Sequence, residues 1–181
     1  GGVLHSARGL RGALAQVQVA GGDLGAGGAD AVGALPDLAD RALQAALHRG
    51  QGLQQIADAL GVGVGQIAKS VIFRRQSDGV AVLVVTSGDR RVDEKKVDAI
   101  VGKTGRADAQ FVKERTGYSI GGVSPIAHAQ KPVTLIDREL FRFEEIWAAA
   151  GHPHGVFRLS PDDLRRLTGA PVHDVTVPPV P

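Results

Sequence analysis

The sequence lacks cysteine altogether and is poor in aromatic residues, with one Trp, one Tyr and five Phe among 181 residues. The absence of cysteine excludes disulfide bonds, thiolate nucleophiles, and zinc or iron–sulfur sites held by thiolates. No aromatic residue precedes Phe73. The first part of the chain therefore has few large side chains with which to fill a core, and we expect it to pack weakly.

Long hydrophobic runs are also missing. No apolar stretch is long enough to cross a bilayer, and the chain does not start with a basic segment followed by an unbroken hydrophobic run. We therefore expect a cytoplasmic protein with no membrane partner. The patterns G-x-G-x-x-G and G-x-x-x-x-G-K-S/T are absent, which excludes these two nucleotide-binding motifs.

The charges are nearly balanced, with 21 Lys and Arg against 19 Asp and Glu, a net charge of +2 and a sequence pI of about 9.2. This balance is compatible with a polyanionic partner and does not require one. Eight basic residues form either a solvated helix face or a contact for a nucleic-acid backbone. They are Arg90, Arg91, Lys95, Lys96, Lys103, Arg106, Lys113 and Arg115.

The pattern of apolar residues and turns predicts alternating helices and short strands. Strands at Ile67–Phe73 and Val80–Val85 flank the turn residues Asp78 and Gly79, which predicts an antiparallel hairpin. Mixed short strands with peripheral helices favour an α+β fold. Further predictions are a loop at 21–36, a strand at 132–137, a strand at 156–159 and a proline-rich tail at 175–181. Helices are predicted at 36–50, 53–61, 92 to Gly102 or Gly105, 108–117 and 142–151, and a last helix is capped by Ser160 and ended by Gly169.

The stretch GYSIGGVSPIAH, residues 117–128, concentrates three glycines and one proline. Glycine permits sharp turns and close approach of another molecule to the main chain, and Pro125 fixes φ on the far side. Exposed amides in such a loop can bind a phosphate, a carbonyl oxygen or a developing oxyanion. A plain turn between a helix and a strand explains the same residues, and the spacing alone does not decide between the two.

Lys69 lies near the start of an otherwise apolar strand. A lysine at a strand end is often solvated. Facing a glycine loop, it can instead neutralise a phosphate or orient a carbonyl, and burial lowers the pKa of a lysine toward values suited to proton transfer. Among the histidines we retain His128 as a site candidate. His152 and His154 have no third ligand nearby and do not predict a metal site.

These segments occur in the order expected of the YbaK/prolyl-tRNA synthetase-associated domain family, which the chain resembles from about Leu53 to Val177. The resemblance is carried by the strand GQIAKSVIF with Lys69, the G-x-x-x-P loop from Gly121 to Pro125, and the aspartate that ends PVTLID. It implies an α+β fold with a central, mixed, barrel-like sheet and peripheral helices over residues 53–177. Residues 1–52 would be an atypical Gly/Ala-rich segment that packs on or extends this domain.

The resemblance also implies an activity, because members of this family are aminoacyl-tRNA deacylases. It implies hydrolysis in trans of the ester bond of mischarged aminoacyl-tRNA, of the Cys- or Ala-tRNA(Pro) type, without a cofactor or metal. The partners would be the acceptor end of an aminoacyl-tRNA and a cognate synthetase, with the chain a monomer or homodimer. The alternative is a non-catalytic tRNA- or protein-binding module with the same fold.

The family pattern finally implies the site residues. The implied catalytic residues are Lys69, Gly121, Gly122, Ser124 and Asp137, and the implied substrate-binding residues are Tyr118, Val123, Pro125 and His128. Ala127 departs from the pattern, because many relatives have a glycine before the histidine. Retention of Lys69 together with the complete G-x-x-x-P loop favours the enzyme over the binding module.

Overall fold

A computed structural model describes residues 17–19, 52–151 and 155–178. The loop predicted at 21–36, the helix predicted at 36–50, and His152 and His154 lie outside these residues. No helix in the described ranges is long and apolar enough to cross a membrane.

The described residues form eight strands, four α-helices and two 3-10 helices. The strands are β1 (Val17–Val19), β2 (Ile67–Arg75), β3 (Ala81–Ser87), β4 (Thr104–Arg106), β5 (Val133–Asp137), β6 (Ile146–Ala149), β7 (Gly155–Leu159) and β8 (Val172–His173). The α-helices are α1 (Gly52–Leu60), α2 (Glu94–Val101), α3 (Ala109–Thr116) and α4 (Pro161–Thr168). The 3-10 helices span Val64–Gln66 and Arg138–Arg142.

All eight strands belong to one mixed sheet, in the order β1-β7-β6-β2-β3-β5-β8, with β4 beside β2. β2 pairs with β3 along one edge, and its other edge is shared between β6 at its start and β4 at its end. The pairs β2–β6, β3–β5 and β5–β8 are parallel, and the remaining pairs are antiparallel. The predicted α+β fold with a central mixed, barrel-like sheet and peripheral helices is confirmed.

The predicted hairpin is confirmed by the antiparallel pairing of β2 and β3. Its turn is closed by Arg75, whose Nε and Nη2 donate to the carboxylate of Asp78 at 2.9 and 2.6 Å. Gly79 has a φ of +69°, a conformation that glycine adopts without a steric penalty. The hairpin fixes the register that brings Lys69 of β2 opposite Thr86 of β3.

Alternate side chains of the central strands pack into two cores, one on each face of the sheet. The first core buries residues from β2, β3, β5, β6, β7 and α4, among them Ala68, Leu83, Val85, Ile136, Phe157 and Leu164. The second core lies beneath α2 and contains Phe73, Val82, Val84, Val97, Leu135 and Val175. Lys69 projects on the second face, because it alternates with Ala68 and Ile72 along β2.

The helix predicted at 142–151 is wrong. Residues Ile146–Ala149 form strand β6, which lies between β7 and β2. Ile146 and Ala148 pack in the first core, whereas Trp147 packs with Ile56 of α1, so the side chains alternate between two sides. Burial on both sides of a strand outweighs the small helix preference of the three alanines that follow Trp147.

The predicted ends of α4 are confirmed, and α2 has a cap that was not predicted. Asp93 caps α2, and Ser160 caps α4 in a reciprocal capping box with Asp163. Gly169 ends α4 in the left-handed conformation, with φ +63°. The predicted tail departs from expectation at its start, since Val175 is fully buried in the second core and Thr176 bridges to Val92.

Candidate functional site

Lys69, Thr86 and Asp137 form a row across three neighbouring strands. Lys69 pairs directly with Thr86, and the β3–β5 register, which pairs Val85 with Ile136, places Thr86 beside Asp137. Thr86 Oγ1 donates to Asp137 Oδ2 at 2.8 Å. The structure therefore brings two of the predicted site residues onto one face of the sheet, with Thr86 between them.

The ammonium of Lys69 is held by main-chain oxygens. Nζ donates to the carbonyl of Gly88 at 3.4 Å and to the carbonyl of Arg90. Burial lowers the pKa of Lys69, while the charges of Asp89 and Asp137 oppose that shift. Neither carboxylate forms an ion pair with Lys69 among the described residues. The lysine is thus partly desolvated and is oriented by carbonyl dipoles.

Asp137 is fully buried at the end of β5. Besides Thr86, it contacts the hydroxyl of Thr176, with 3.5 Å between Oδ1 and Oγ1. Burial raises the pKa of Asp137, and the hydrogen bond from Thr86 opposes that rise because it stabilises the ionised form. Asp137 therefore links β5 to β3 and to the C-terminal segment as well as facing Lys69.

A tight turn after β3 presents the carbonyls that hold Lys69. Arg90 N donates to Ser87 O at 3.0 Å, which closes the turn over Gly88 and Asp89. A Cβ on Gly88 would lie 2.3 Å from the carbonyl oxygen of Val64, so only glycine fits without a shift of the backbone. The sequence analysis missed this turn, whose only local signal is the glycine that follows an apolar strand.

The predicted glycine loop begins where α3 ends. Gly117 closes the helix with φ +81°, and the far end of the loop returns to the same helix turn, since Ala129 N donates to Thr116 O at 3.0 Å. Inside the loop Gly121 has φ +93°, and Gly122 N donates to Ser119 O at 3.0 Å. The loop is therefore closed at its base and turns sharply at its glycines.

Within the segment Gly121–Pro125, three amides have no hydrogen-bond acceptor among the described residues. The N–H groups of Gly121, Val123 and Ser124 donate to no described residue. Ser124 is buried, with 2% of its surface exposed, whereas Gly121 is exposed. Unpaired donors along a rigid turn can receive an anionic oxygen. The amide of Gly122 is occupied by Ser119 and does not belong to this group.

Tyr118 and His128 hold the loop from within. The Tyr118 hydroxyl lies 3.0 Å from the carbonyl oxygens of both Ile126 and Ala127, and its ring meets His128 edge to face at 5.8 Å. His128 Nε2 lies 2.7 Å from Ser124 O. A carbonyl only accepts, so Nε2 carries the proton and Nδ1 keeps its lone pair in the neutral ring. Burial lowers the pKa of His128, which favours that neutral form.

Ala127 adopts a backbone conformation that favours glycine. Its φ is +59°, a positive value found at no other non-glycine residue that the structure describes. Such a left-handed conformation costs a residue with a Cβ about 1–2 kcal/mol. The bond between the Tyr118 hydroxyl and the Ala127 carbonyl helps to hold it. Ala127 therefore forms the turn before His128 in spite of its Cβ.

The predicted residues fall into two groups. Lys69 and Asp137 share the row on the sheet, while Tyr118, Val123, Ser124, Pro125 and His128 share the loop with its glycines. No hydrogen bond or ion pair joins Lys69 to the loop within the described ranges. The two groups thus offer separate elements, one cationic and one rich in amide donors.

Residues Gly117 to Gly121 also match the motif G-x-S-x-G, which the sequence analysis did not identify. A nucleophile elbow requires its serine on a turn between a strand and a helix. Here Ser119 is exposed, helix α3 precedes it, and no helix follows before β5. The sequence pattern therefore matches without the required turn between a strand and a helix, and Ser119 does not have the position of a hydrolase nucleophile.

The basic cluster divides into paired and unpaired side chains. Arg90 pairs with Glu139 at 2.9 Å, and Lys96 pairs with Asp174 at 2.8 Å. Five exposed members have no ion-pair partner among the described residues: Arg91, Lys95, Lys103, Arg106 and Lys113. Contact between this surface and a nucleic acid stays a prediction. No group of three His, Asp or Glu side chains in the described ranges is arranged to hold a metal ion.

The fold and the site define a class of protein: an α+β domain with a lysine on a central strand, a buried aspartate at the end of another strand, and a loop rich in glycine and proline. The model of the aminoacyl-tRNA editing domain matches residues 49–167, and the chain belongs to this family. It is 35% identical to the uncharacterised protein YwhH of Bacillus subtilis over 117 residues, which is 64% of this chain and 74% of YwhH.

A solved structure with the same fold is described as a candidate trans-editing enzyme for prolyl tRNA synthetase. It has a TM-score of 0.66 and 36% identity, over 79% of this chain and 99% of that one. The chain also matches the proline–tRNA ligase of Thermodesulfovibrio yellowstonii at 30% identity over 81 residues, 45% of this chain and 14% of the ligase.

Proposed function

We propose that the chain hydrolyses the ester bond of mischarged aminoacyl-tRNA in trans, with cysteine or alanine on proline tRNA as its substrates. The observation that carries this proposal is a partly desolvated lysine, held by carbonyl dipoles, in a chain that also presents a loop of unpaired amides. Membership of the aminoacyl-tRNA editing domain family supports the class of substrate.

The relatives support proline tRNA. One solved relative is described as a candidate trans-editing enzyme for prolyl tRNA synthetase, and a curated relative is a proline–tRNA ligase. The match covers only 14% of the ligase, so we infer from it a proline tRNA substrate but no ligation activity. A cognate synthetase is accordingly the proposed protein partner.

In the proposed reaction a water oxygen attacks the ester carbonyl carbon. The amides of Gly121, Val123 and Ser124 stabilise the negative oxygen that forms on this carbon. The ester C–O bond then breaks, and the proton from water passes to the ribose oxygen as it leaves. The products are the free amino acid and uncharged tRNA.

Lys69 supplies the positive charge. Its ammonium has three N–H groups, and two of them donate to carbonyls of the turn after β3. The third holds the phosphate of the terminal adenosine or polarises the ester. Asp137, bonded to Thr86, lies on the same face, and its charge when ionised favours the ammonium form of Lys69. The lysine thus acts as a fixed cation rather than as a nucleophile.

The remaining loop residues position the substrate. Tyr118 and His128 fix the turn at Ile126 and Ala127, and Pro125 restricts the backbone beside Ser124. Correct placement of oxyanion donors matters because hydrogen bonds aimed at the developing charge are effective only at about 2.7–3.1 Å. A rigid loop keeps its donors in place without rearrangement during the reaction.

The test is release of amino acid from a panel of aminoacyl-tRNAs by the natural chain. The panel contains Cys-, Ala-, Ser- and Thr-tRNA(Pro), with Pro-tRNA(Pro) as the matched control. We expect rapid release of cysteine or alanine and slow release of proline. If folded protein binds tRNA(Pro) but releases no amino acid, the enzyme proposal fails and the non-catalytic binding module replaces it.

A further inference from the structure

The turn that holds Lys69 is anchored by a chain of four charged side chains. Arg142 Nη2 lies 2.8 and 3.1 Å from the two carboxylate oxygens of Asp89, and Arg142 Nε lies 3.4 Å from Glu139 Oε2. Arg90 Nε reaches the same Glu139 oxygen at 2.9 Å. The chain Asp89–Arg142–Glu139–Arg90 therefore ties both sides of the turn to the 3-10 helix that follows Asp137.

Packing fixes Arg142 in this arrangement. Its guanidinium lies over the ring of Phe143, 4.8 Å from the ring centre. Phe143 and Asp89 both press on Gly65, where an added Cβ would lie 2.7 Å from Phe143 Cζ and 3.0 Å from Asp89 Oδ2. Arg142 and Asp89 are about two-thirds buried, with side-chain exposures of 34% and 32%. Because the pair is partly buried and the guanidinium is stacked on a ring, we expect it to stabilise the turn more than a fully exposed ion pair would.

Asp89 is a potential competitor for Lys69. It is the central residue of the turn, between the two carbonyls that receive Nζ, and its charge acts on the lysine. The pKa of Asp89 is lowered, since hydrogen bonds from Ser87 and Arg142 outweigh its burial. Asp89 is therefore ionised, and Arg142 occupies both of its oxygens. Without Arg142, the remaining cations whose charges interact with that of Asp89 are Arg90, which is held by Glu139, and Lys69.

We propose that Arg142 is a positioning residue for Lys69: by holding Asp89, it keeps the ammonium on the carbonyls of Gly88 and Arg90 and leaves one N–H for the substrate. This inference rests on the proposed deacylation. Loss of Arg142 would let Asp89 draw the ammonium into an ion pair and remove that donor. Loss of Asp89 as well would remove the competitor and restore the lysine.

The test compares Arg142→Gln with the double variant Arg142→Gln/Asp89→Asn. Arg138→Gln is the matched control, because Arg138 lies on the same 3-10 helix, is 64% exposed and pairs with Asp174 rather than with the chain of four. We expect Arg142→Gln to lower kcat about tenfold with little change in KM, and the double variant to recover most of that loss. A merely structural role would make the double variant as poor as the single one, or worse.

A second readout does not need turnover. The NMR signal of the Lys69 ammonium, assigned with Lys69→Ala, is titrated in each variant. The charges of Asp89 and Asp137 act on its pKa, and the other charged groups at the turn are Glu139, Arg90 and Arg142. We expect the midpoint to rise in Arg142→Gln, to return in the double variant, and to stay unchanged in Arg138→Gln.

The two readouts separate the possible failures. If the natural chain releases no amino acid, the proposed function fails, while the NMR titration still decides the position of Lys69. If the midpoint is the same in Arg142→Gln as in the natural chain, the inference is overturned even when deacylation is found. If Arg142→Gln does not fold, Arg142→Lys takes its place, because it loses the planar guanidinium that contacts Asp89 and Ser87 and lies over Phe143, and the same reversal by Asp89→Asn is required.

Discussion

Replacing Thr86 by valine removes one hydroxyl from the row between Lys69 and Asp137 and leaves the shape of the strand nearly unchanged. The hydroxyl donates to Asp137 at 2.8 Å, and both residues are fully buried. A hydrogen bond to a charged group contributes about 1.5–3 kcal/mol. We expect Thr86→Val to lower the free energy of unfolding by about that amount at neutral pH, which corresponds to a drop in Tm of roughly 3–12 °C.

The effect should depend on pH in a definite direction. Burial raises the pKa of Asp137 in the folded state, so the fold favours the protonated carboxyl. Ionisation of Asp137 therefore lowers the free energy of unfolding as pH rises through the folded-state pKa. Thr86 opposes this shift because its hydrogen bond stabilises the ionised carboxylate. Removing Thr86 therefore costs more at pH 7 than at pH 4, where more of Asp137 is protonated.

The assay is urea unfolding of Thr86→Val and of the natural chain at the two pH values. Thr134→Val is the matched control, since Thr134 lies on the adjacent strand β5 and its hydroxyl bonds to no described residue. We expect this control to change stability by less than about 0.5 kcal/mol. Equal losses at both pH values, or an equal loss in Thr134→Val, would refute the assignment of the hydroxyl to an ionisable Asp137.

Three further predictions concern the turn and the loop. Gly88→Ala should displace the turn that holds Lys69, because the added Cβ would lie 2.3 Å from Val64 O. The rate of deacylation should therefore fall in a variant that is still folded. Tyr118→Phe should cost about 0.5–1.5 kcal/mol in urea unfolding, since the lost hydroxyl leaves the loop carbonyls without a donor. Ala127→Gly should raise stability by up to about 1 kcal/mol in the same assay, because relief of the positive φ exceeds the entropy that glycine adds to the unfolded chain.

The sequence was informative where a feature depends on neighbouring residues. The hairpin turn at Asp78 and Gly79, the cap at Ser160, and the helix end at Gly169 each follow from a few adjacent residue types. The placement of Lys69 on a strand and of the glycines in a turn after a helix follows for the same reason. Their assignment to a site came from the family resemblance rather than from any local rule.

Features that depend on distant pairing were not predictable in this way. β6 was mistaken for a helix because its strand state depends on β2 and β7, which flank it in the sheet but not in the sequence. The contact between Asp89 and Arg142 joins residues 53 positions apart. Likewise, nothing local indicates that Thr86 meets Asp137, since that contact follows from the parallel register of β3 and β5.

The dependence of deacylation on Lys69 tests the account most directly. The measurement is the single-turnover rate of amino acid release from Cys- and Ala-tRNA(Pro) by the natural chain, Lys69→Ala, and the control Arg166→Ala, which removes an exposed cation of α4 outside the proposed site. Loss of the release in Lys69→Ala alone, with folding and tRNA binding intact, is the result that the account predicts. Release at the natural rate by well-folded Lys69→Ala would contradict it.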